Sequence, residues 1–450
     1  MSALWFEEAR LETGWAPAVR LETDSQGRIS RLVTHAAPDG AEVILGAAIP
    51  ALSNLHSHAF QRAFAGRAEA SNGGPDDFWG WREQMYGFVA RLDLDDVEAI
   101  AAQAFMEMLK GGYGAVAEFH YLHRQMDGAW GADKAEMALA VARGADAAGI
   151  GLRLLPVVYL TAGFDGAGLS DRQKRFHATG EDVADIRQAL ERNGVATGLA
   201  LHSLRAVPPD AILRALDLAP QGPIHIHIAE QTAEVEACLA VTGRRPVARL
   251  FELAEVDARW CLVHATHMTA DEIAQAAKSG AVAGLCPTTE ADLGDGLFPL
   301  ADWEAAQGRL GVGSDSHVVI DAAEEVRLLD YGLRLGHRRR FVGTGQGSRG
   351  ALLWAAASAG GRQAWSGEGL APAWLGLGER ADIVALDVQH PSLVEQKDDN
   401  RFDGLVFCNH GRPFQTVVSG GVVQVRQGRH VRQDAIQQRY GKTLAKLCRS

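Results

Sequence analysis

The sequence predicts an α/β protein: a TIM-like (β/α)8 barrel joined to a small β-sandwich domain built from both chain ends. Three observations predict it. Eight apolar, strand-like runs that end in polar residues recur between residues 48 and 313. The stretches between them are mostly patterned as helices, and strands alternating with helices imply a parallel sheet. Outside this region, both ends of the chain read as short strands broken by turns.

Taken in order, residues 1–48 supply the first half of the β domain, where Val19 to Glu22 and Ile29 to Val33 flank the turn formers Ser25-Gln26-Gly27. The barrel, residues 49–370, takes its strands from Ala48 to His56, Gly114 to Phe119, Leu152 to Tyr159, Thr197 to His202, Ile224 to Ile228, Trp260 to His264, Ala281 to Leu285 and Leu310 to Gly313. Leu94 to Lys110 and Asp133 to Ala148 carry helical patterns, and Ser71 to Asp77 reads as an inserted loop tip rich in turn formers. Residues 371–450 return to the β domain, with Ala381 to Leu386, Gly404 to Cys408, Thr416 to Ser419 and Val422 to Val425 as strands.

Composition narrows the function. The 450 residues, 47% hydrophobic and 22% charged, are ordinary for a globular protein with a sizeable core. A net charge of −12 repels phosphate backbones and anionic membranes, so neither nucleic acid nor a membrane is an expected partner. The first twelve residues are acidic where a secretory signal is basic, and no run of 18 uncharged apolar residues occurs, which predicts a cytoplasmic protein. The five cysteines form no C-x-x-C pair and read as buried, reduced, small hydrophobes.

In a barrel of this kind, chemistry sits at the C-terminal ends of the strands. The first run ends Leu55-His56-Ser57-His58, and residues i and i+2 of a strand share a face, so both imidazoles can reach one metal. The fifth run ends in His225-Ile226-His227-Ile228-Ala229-Glu230, the sixth in His264-Ala265-Thr266-His267, and the eighth in Gly313-Ser314-Asp315-Ser316-His317. Catalytic zinc takes neutral imidazole and carboxylate and keeps one position open, a need that His56, His58, one histidine of the fifth run and Asp315 would meet. A single metal is expected, because Lys174 is the only lysine between Gly151 and His227 and it lies in a polar run unsuited to bridging two ions. An isolated histidine is usually structural. Here His56, His58, His227, His264 and Asp315 coincide at strand ends, whereas His225, His267 and His317 read as satisfied core or surface residues.

On these residues the sequence resembles the amidohydrolase superfamily, and Gly378 to Asp387 (GERADIVALD) is similar to the return strand common there. The resemblance narrows at Asn54 to Arg62 (NLHSHAFQR), Ala117 to Tyr121 (AEFHY), Leu201 to Val207 (LHSLRAV) and His227 to Gln231 (HIAEQ), stretches that look like those of the N-formimino-L-glutamate deiminases. The resemblance implies one zinc ion per subunit held by His56, His58, His227 and Asp315. It implies Glu230, His264 and Asp315 as catalytic groups, and Gln61, Arg82, Tyr121, His202 and Arg205 as substrate contacts. It also implies a homodimer acting on a small molecule in histidine degradation. Asp315 would take a proton from water, His264 would position the hydroxide, and Glu230 would protonate the departing nitrogen. Arg82 and Arg205 would each grip a carboxylate of the substrate, although on composition alone Arg82 is a surface arginine packed on tryptophan.

Other signals fail on context. Gly345 to Gly350 matches G-x-G-x-x-G but follows a polar run rather than a strand, and Gly441-Lys442-Thr443 has Ile436 where a phosphate loop needs glycine. Arg338 to Arg340 read as a solvated face. The competing readings are an amidohydrolase deaminase for guanine-like or triazine-like ring amidines, and a catalytically silent scaffold of the same fold; the complete ligand set speaks against the second.

Overall fold

The computed structural model describes residues 2–69 and 78–449; the expected loop tip at 71–77 lies outside them. Among the described residues, seventeen strands divide between two sheets. The first four, β1 (Ala3–Leu11), β2 (Gly14–Thr23), β3 (Ile29–Val33) and β4 (Glu42–Pro50), belong to the chain-end sheet. The parallel barrel follows: β5 (Leu52–Ser57), β6 (Tyr113–His120), β7 (Gly151–Val158), β8 (Ala196–Thr197), β9 (Leu199–Leu201), β10 (Ile224–Ile228), β11 (Trp260–His264), β12 (Val282–Leu285) and β13 (Arg309–Val312). Four more strands return to the first sheet: β14 (Ile383–Leu386), β15 (Phe414–Ser419), β16 (Val422–Arg426) and β17 (Arg429–His430).

Barrel strands pair in chain order from β5 to β13, with the short β8 beside β7. Almost every residue in them is buried, as expected of a parallel sheet covered by helices. Closure falls at the functional end. His58 N–H donates to Asp315 O at 3.2 Å and Asp315 N–H to His56 O at 3.1 Å, so the seam of the barrel is sewn by the backbones of three expected ligands. Glycine at 313 permits it: a Cβ there would lie 2.6 Å from His56 O.

The helix Leu94–Lys110 has its expected bounds, started by an Asp93–Asp96 capping box. The other expected helix forms over Glu136–Ala148. Gly345 to Ser348 is a loop leading into the helix Arg349–Ser366, and Arg338 to Arg340 are exposed. Among the described residues, no helix is long and apolar enough to cross a membrane.

Both chain ends build one eight-stranded sheet in the order β17-β16-β15-β14-β4-β1-β2-β3, antiparallel apart from the parallel β1–β4 pair. The expected hairpin forms, β2 pairing antiparallel with β3. Ile29 N–H donating to Glu379 O and Ala381 N–H to Gly27 O fold the far edge back onto the segment before β14.

Three expectations are corrected. The run 48–56 is two strands: Ala48 to Pro50 end β4 in the chain-end sheet, Ala51 turns the chain, and β5 begins in the barrel. Ala51 N–H donates to Asp382 O at 3.1 Å and Trp354 Nε1–H to Pro50 O at 3.1 Å, fixing that junction. Gly404 to Cys408 lies mainly in a helix, Asn400–Phe407, rather than a strand. Its Phe402, Leu405 and Val406 are buried at helical spacing, and a Cβ at Gly404 would meet Ser392 O at 2.3 Å. Among the cysteines, Cys238, Cys261 and Cys286 are buried, but Cys408 and Cys448 sit exposed near the ends of two helices.

Candidate active site

At the seam the strand alternation puts His56 and His58 on one side, and β10 and the turn after β13 bring His227 and Asp315 to them. His58 Nε2 is 3.2 Å from His56 Nε2 and 3.2 Å from Asp315 Oδ1. His227 Nε2 is 3.0 Å from His56 Nε2. The outer nitrogens are committed elsewhere: His58 Nδ1–H donates to Phe119 O and His227 Nδ1–H to His202 O, both at 2.9 Å. That fixes the proton on Nδ1 and turns the lone pair of each Nε2 inward.

Burial, with the neighbouring imidazoles, depresses all three histidines, His58 to about 3 despite Asp315, and His56 and His227 well below the usual range. Three neutral imidazoles and a carboxylate oxygen packed at these separations match a four-ligand zinc set, whose members stand about 3.4 Å apart around an ion. The residues therefore fit the metal that the motif suggests.

His264, at the end of β11, faces this cluster. Its Nε2 lies 3.6 Å from Glu230 Oε1 and 3.8 Å from Asp315 Oδ2, and its Nδ1 bonds Glu290 Oε1 at 3.2 Å. Burial opposes charge on the ring, but Glu230, Glu290 and Asp315 prevail and hold it well above the ordinary histidine range. Burial pushes the Glu230 carboxyl up to about 7, against the pull of His264.

Several of these residues have left-handed backbones: Ala229 (φ 51°), His264 (66°), Ala265 (49°), Asp315 (39°) and His317 (64°). Strain of this kind gathers where a strand end must aim a functional side chain.

The cavity above the cluster is lined by His58, His227, Glu230, His264 and Asp315, and also by Gln61, Arg82, Tyr121, His202 and Arg205. Every expected site residue except His56, whose ring meets those of His58 and His227, thus borders one space. Its empty volume is about 770 Å³, mouth included. Gln61 Nε2–H donates to Tyr121 Oη at 2.8 Å. Arg82, on the helix Phe78–Val89, stacks over Tyr86 at 5.5 Å and borders the cavity. Arg205 Nη1–H donates to Ala162 O at 3.1 Å; burial opposes its charge, but Tyr159 and Tyr86 help keep it protonated. His225, His267 and His317 stay outside the cavity and spend ring nitrogens on Ala364 O, Asp295 O and the Ser57 and Ser314 hydroxyls respectively.

Sequence reasoning missed four carboxylates around this site. Glu290 grips His264 and also accepts Cys286 N–H at 2.8 Å. It stands in Cys286-Pro287-Thr288-Thr289-Glu290, directly after β12, where the strand-end rule would have found it. Burial and the Glu230 charge push Asp295 up to about 9. Burial also raises Glu234, which accepts Glu230 N–H. Glu118, raised to about 8 by burial, accepts from Ser57 Oγ and Ala59 N–H and so braces the His56-Ser57-His58 turn; it lies inside the AEFHY stretch.

The amidohydrolase family matches residues 47–341. Formimidoylglutamate deiminase of Pseudomonas aeruginosa is 47% identical over 454 residues, covering 99% of this chain and 100% of its own. The crystal structure of an amidohydrolase from Brucella melitensis is similar with a TM-score of 0.92 at 42% identity, each chain covered in full. An adenosine deaminase from Xanthomonas campestris, solved with bound zinc, shares the fold with a TM-score of 0.80 at 21% identity, covering 100% of this chain and 98% of its own.

Proposed function

The chain belongs to the amidohydrolase family and is a hydrolase of C–N bonds, and from that premise we propose that it deaminates N-formimino-L-glutamate to N-formyl-L-glutamate and ammonia, with one zinc ion per subunit, in histidine degradation. The observation that carries this reading is one cavity holding both a His-Asp-Glu cluster and two arginines. The first suits hydrolysis of an amidine, and the second suits the two carboxylates of a glutamyl group. The full-length relative named for that activity supports it.

When bound by His56, His58, His227 and Asp315, the metal supplies positive charge that acidifies water and polarises the formimino carbon. The rest falls to the chain. Asp315, on the seam, accepts a proton from the attacking water. His264 Nε2, between Glu230 and Asp315, donates a hydrogen bond that orients that water; Glu290 on its other nitrogen keeps the ring from turning. Glu230, whose carboxyl keeps its proton near neutrality, protonates the amidine nitrogen; the proton that Asp315 took from water then passes to the same nitrogen, the C–N bond breaks with ammonia as the leaving group, and the hydroxyl proton returns to Glu230 as the carbonyl forms. Arg82 and Arg205 hold the carboxylates by guanidinium hydrogen bonds, and Gln61 and Tyr121 add neutral ones.

The test is ammonia release from N-formimino-L-glutamate by zinc-loaded protein, with Asp315→Asn in parallel. Wild type releases ammonia rapidly and the variant binds less metal and releases almost none. No release by folded, metal-loaded wild type refutes the substrate and moves the search to guanine-like and triazine-like ring amidines.

A further inference from the structure

Beside the four-ligand cluster lies a second set of metal-type donors. Ligand atoms of Glu230, His264 and Asp295 all lie within 4.8 Å of one another. Two of them, His264 Nε2 and Glu230 Oε1, are 3.6 Å apart, close to the roughly 3.4 Å that separates two zinc ligands at a tetrahedral angle. Neither Glu230 nor Asp295 belongs to the first set.

Asp295 is the telling member. It is 4% exposed, and its Oδ2 has no hydrogen-bond partner among the described residues. Its other oxygen accepts from Gln231 Nε2, a contact that fixes the direction of the carboxylate. A buried carboxyl oxygen without a hydrogen-bond partner carries an uncompensated desolvation cost that a cation, taking the place of the proton, would remove. The Glu290 hydrogen bond to His264 Nδ1 is the outer-shell support that metal-bound imidazoles carry. Glu234 and Glu290 add negative charge around the same space.

We propose that Glu230, His264 and Asp295 form a second, weaker site for a divalent cation of the zinc class, adjoining the first, and that filling it switches the enzyme off. An ion there takes the Glu230 carboxylate and the His264 ring, the two groups that move and orient protons in the reaction above. The inhibition therefore rests on that reading, whereas the site itself does not.

The test uses holoenzyme carrying Cys408→Ser and Cys448→Ser, which removes the two exposed thiols as competing ligands. It is dialysed to equilibrium against rising free zinc, and bound metal is counted by atomic emission while ammonia release is assayed alongside. The chain takes up two ions, and activity falls at least about tenfold as the second loads. Asp295→Asn, which keeps the Gln231 contact, stays at one ion over the same range and keeps its activity. Gln231→Leu, which removes the group that aims Asp295, weakens the second ion by about 10- to 100-fold. One ion throughout in the Asp295 protein, a second ion held equally well by Asp295→Asn, or a second ion without loss of activity overturns the proposal. Counting ions needs no substrate, so failure of the deaminase reading is told apart from failure of this one.

Discussion

Replacing Arg205 by methionine tests the carboxylate end of the cavity. Methionine keeps most of the stem volume and removes the guanidinium, while the backbone bond from Thr161 Oγ1 to Arg205 O at 2.9 Å is untouched. Arg205 borders a cavity walled by Tyr86, Tyr159 and His202, and a hydrogen bond to a charged group there contributes about 1.5–3 kcal/mol. A forked guanidinium makes two such bonds, so its loss removes about 3–6 kcal/mol from substrate binding. At about 1.4 kcal/mol per tenfold, kcat/KM for N-formimino-L-glutamate falls by about 10² to 10⁴. Most of this appears in KM, since the group acts far from the bond being broken. The assay is coupled ammonia release, with an uncharged N-alkylformamidine as the control, whose slow turnover is the same in both proteins. A change of less than about threefold with the dianionic substrate, in a folded variant of unchanged metal content, refutes the argument.

Two further predictions concern acid chemistry and the core. Because Glu230 must carry a proton to donate it and burial sets its carboxyl at about 7, kcat/KM falls as pH rises through that value; Glu230→Gln loses about 10²–10⁴ in rate and the alkaline limb of the profile with it. Arg349, 4% exposed, binds Asp330 Oδ1 at 2.7 Å and Glu304 Oε1 at 2.8 Å; Asp330 keeps Arg334 at 2.6 Å, so Arg349→Met removes one of its two arginines and costs about 1.5–3 kcal/mol in denaturant unfolding, without changing KM of the folded enzyme.

What could be read from the sequence follows from what each signal depends on. The barrel strands are apolar on both faces and end in polar residues, so runs such as Ile224 to Ile228 and Trp260 to His264 are exact in the structure. Their terminal side chains must converge once the barrel closes, which is why His56, His58, His227, His264 and Asp315 could be placed together from spacing alone. Phe402 to Cys408 could not be read that way: a short apolar run carries no period long enough to separate strand from helix, and packing against the helix Arg349–Ser366 decides it. The split at Ala51 was hidden because Ala47 to Leu52 runs apolar without a break across the junction. Glu290 follows β12 closely enough for the strand-end rule to reach it, but Asp295 sits in a loop farther on, where a carboxylate looks like ordinary solvent-facing polarity, and only its distance from His264 shows otherwise.

The junction at Ala51 bears on how the molecule is made. β5, which bears His56 and His58, continues directly from β4, and β4 is held on one side by β1 and on the other by β14. During synthesis the N-terminal strands emerge early, but β14 leaves the ribosome only after every barrel strand has done so. Until then the upstream anchor of the first barrel strand has an open edge, and Asp382 is absent as an acceptor for Ala51 N–H. The last fifth of the chain therefore acts as a clasp on the first: the strand that leads into β5 gains its second neighbour only when the far end arrives.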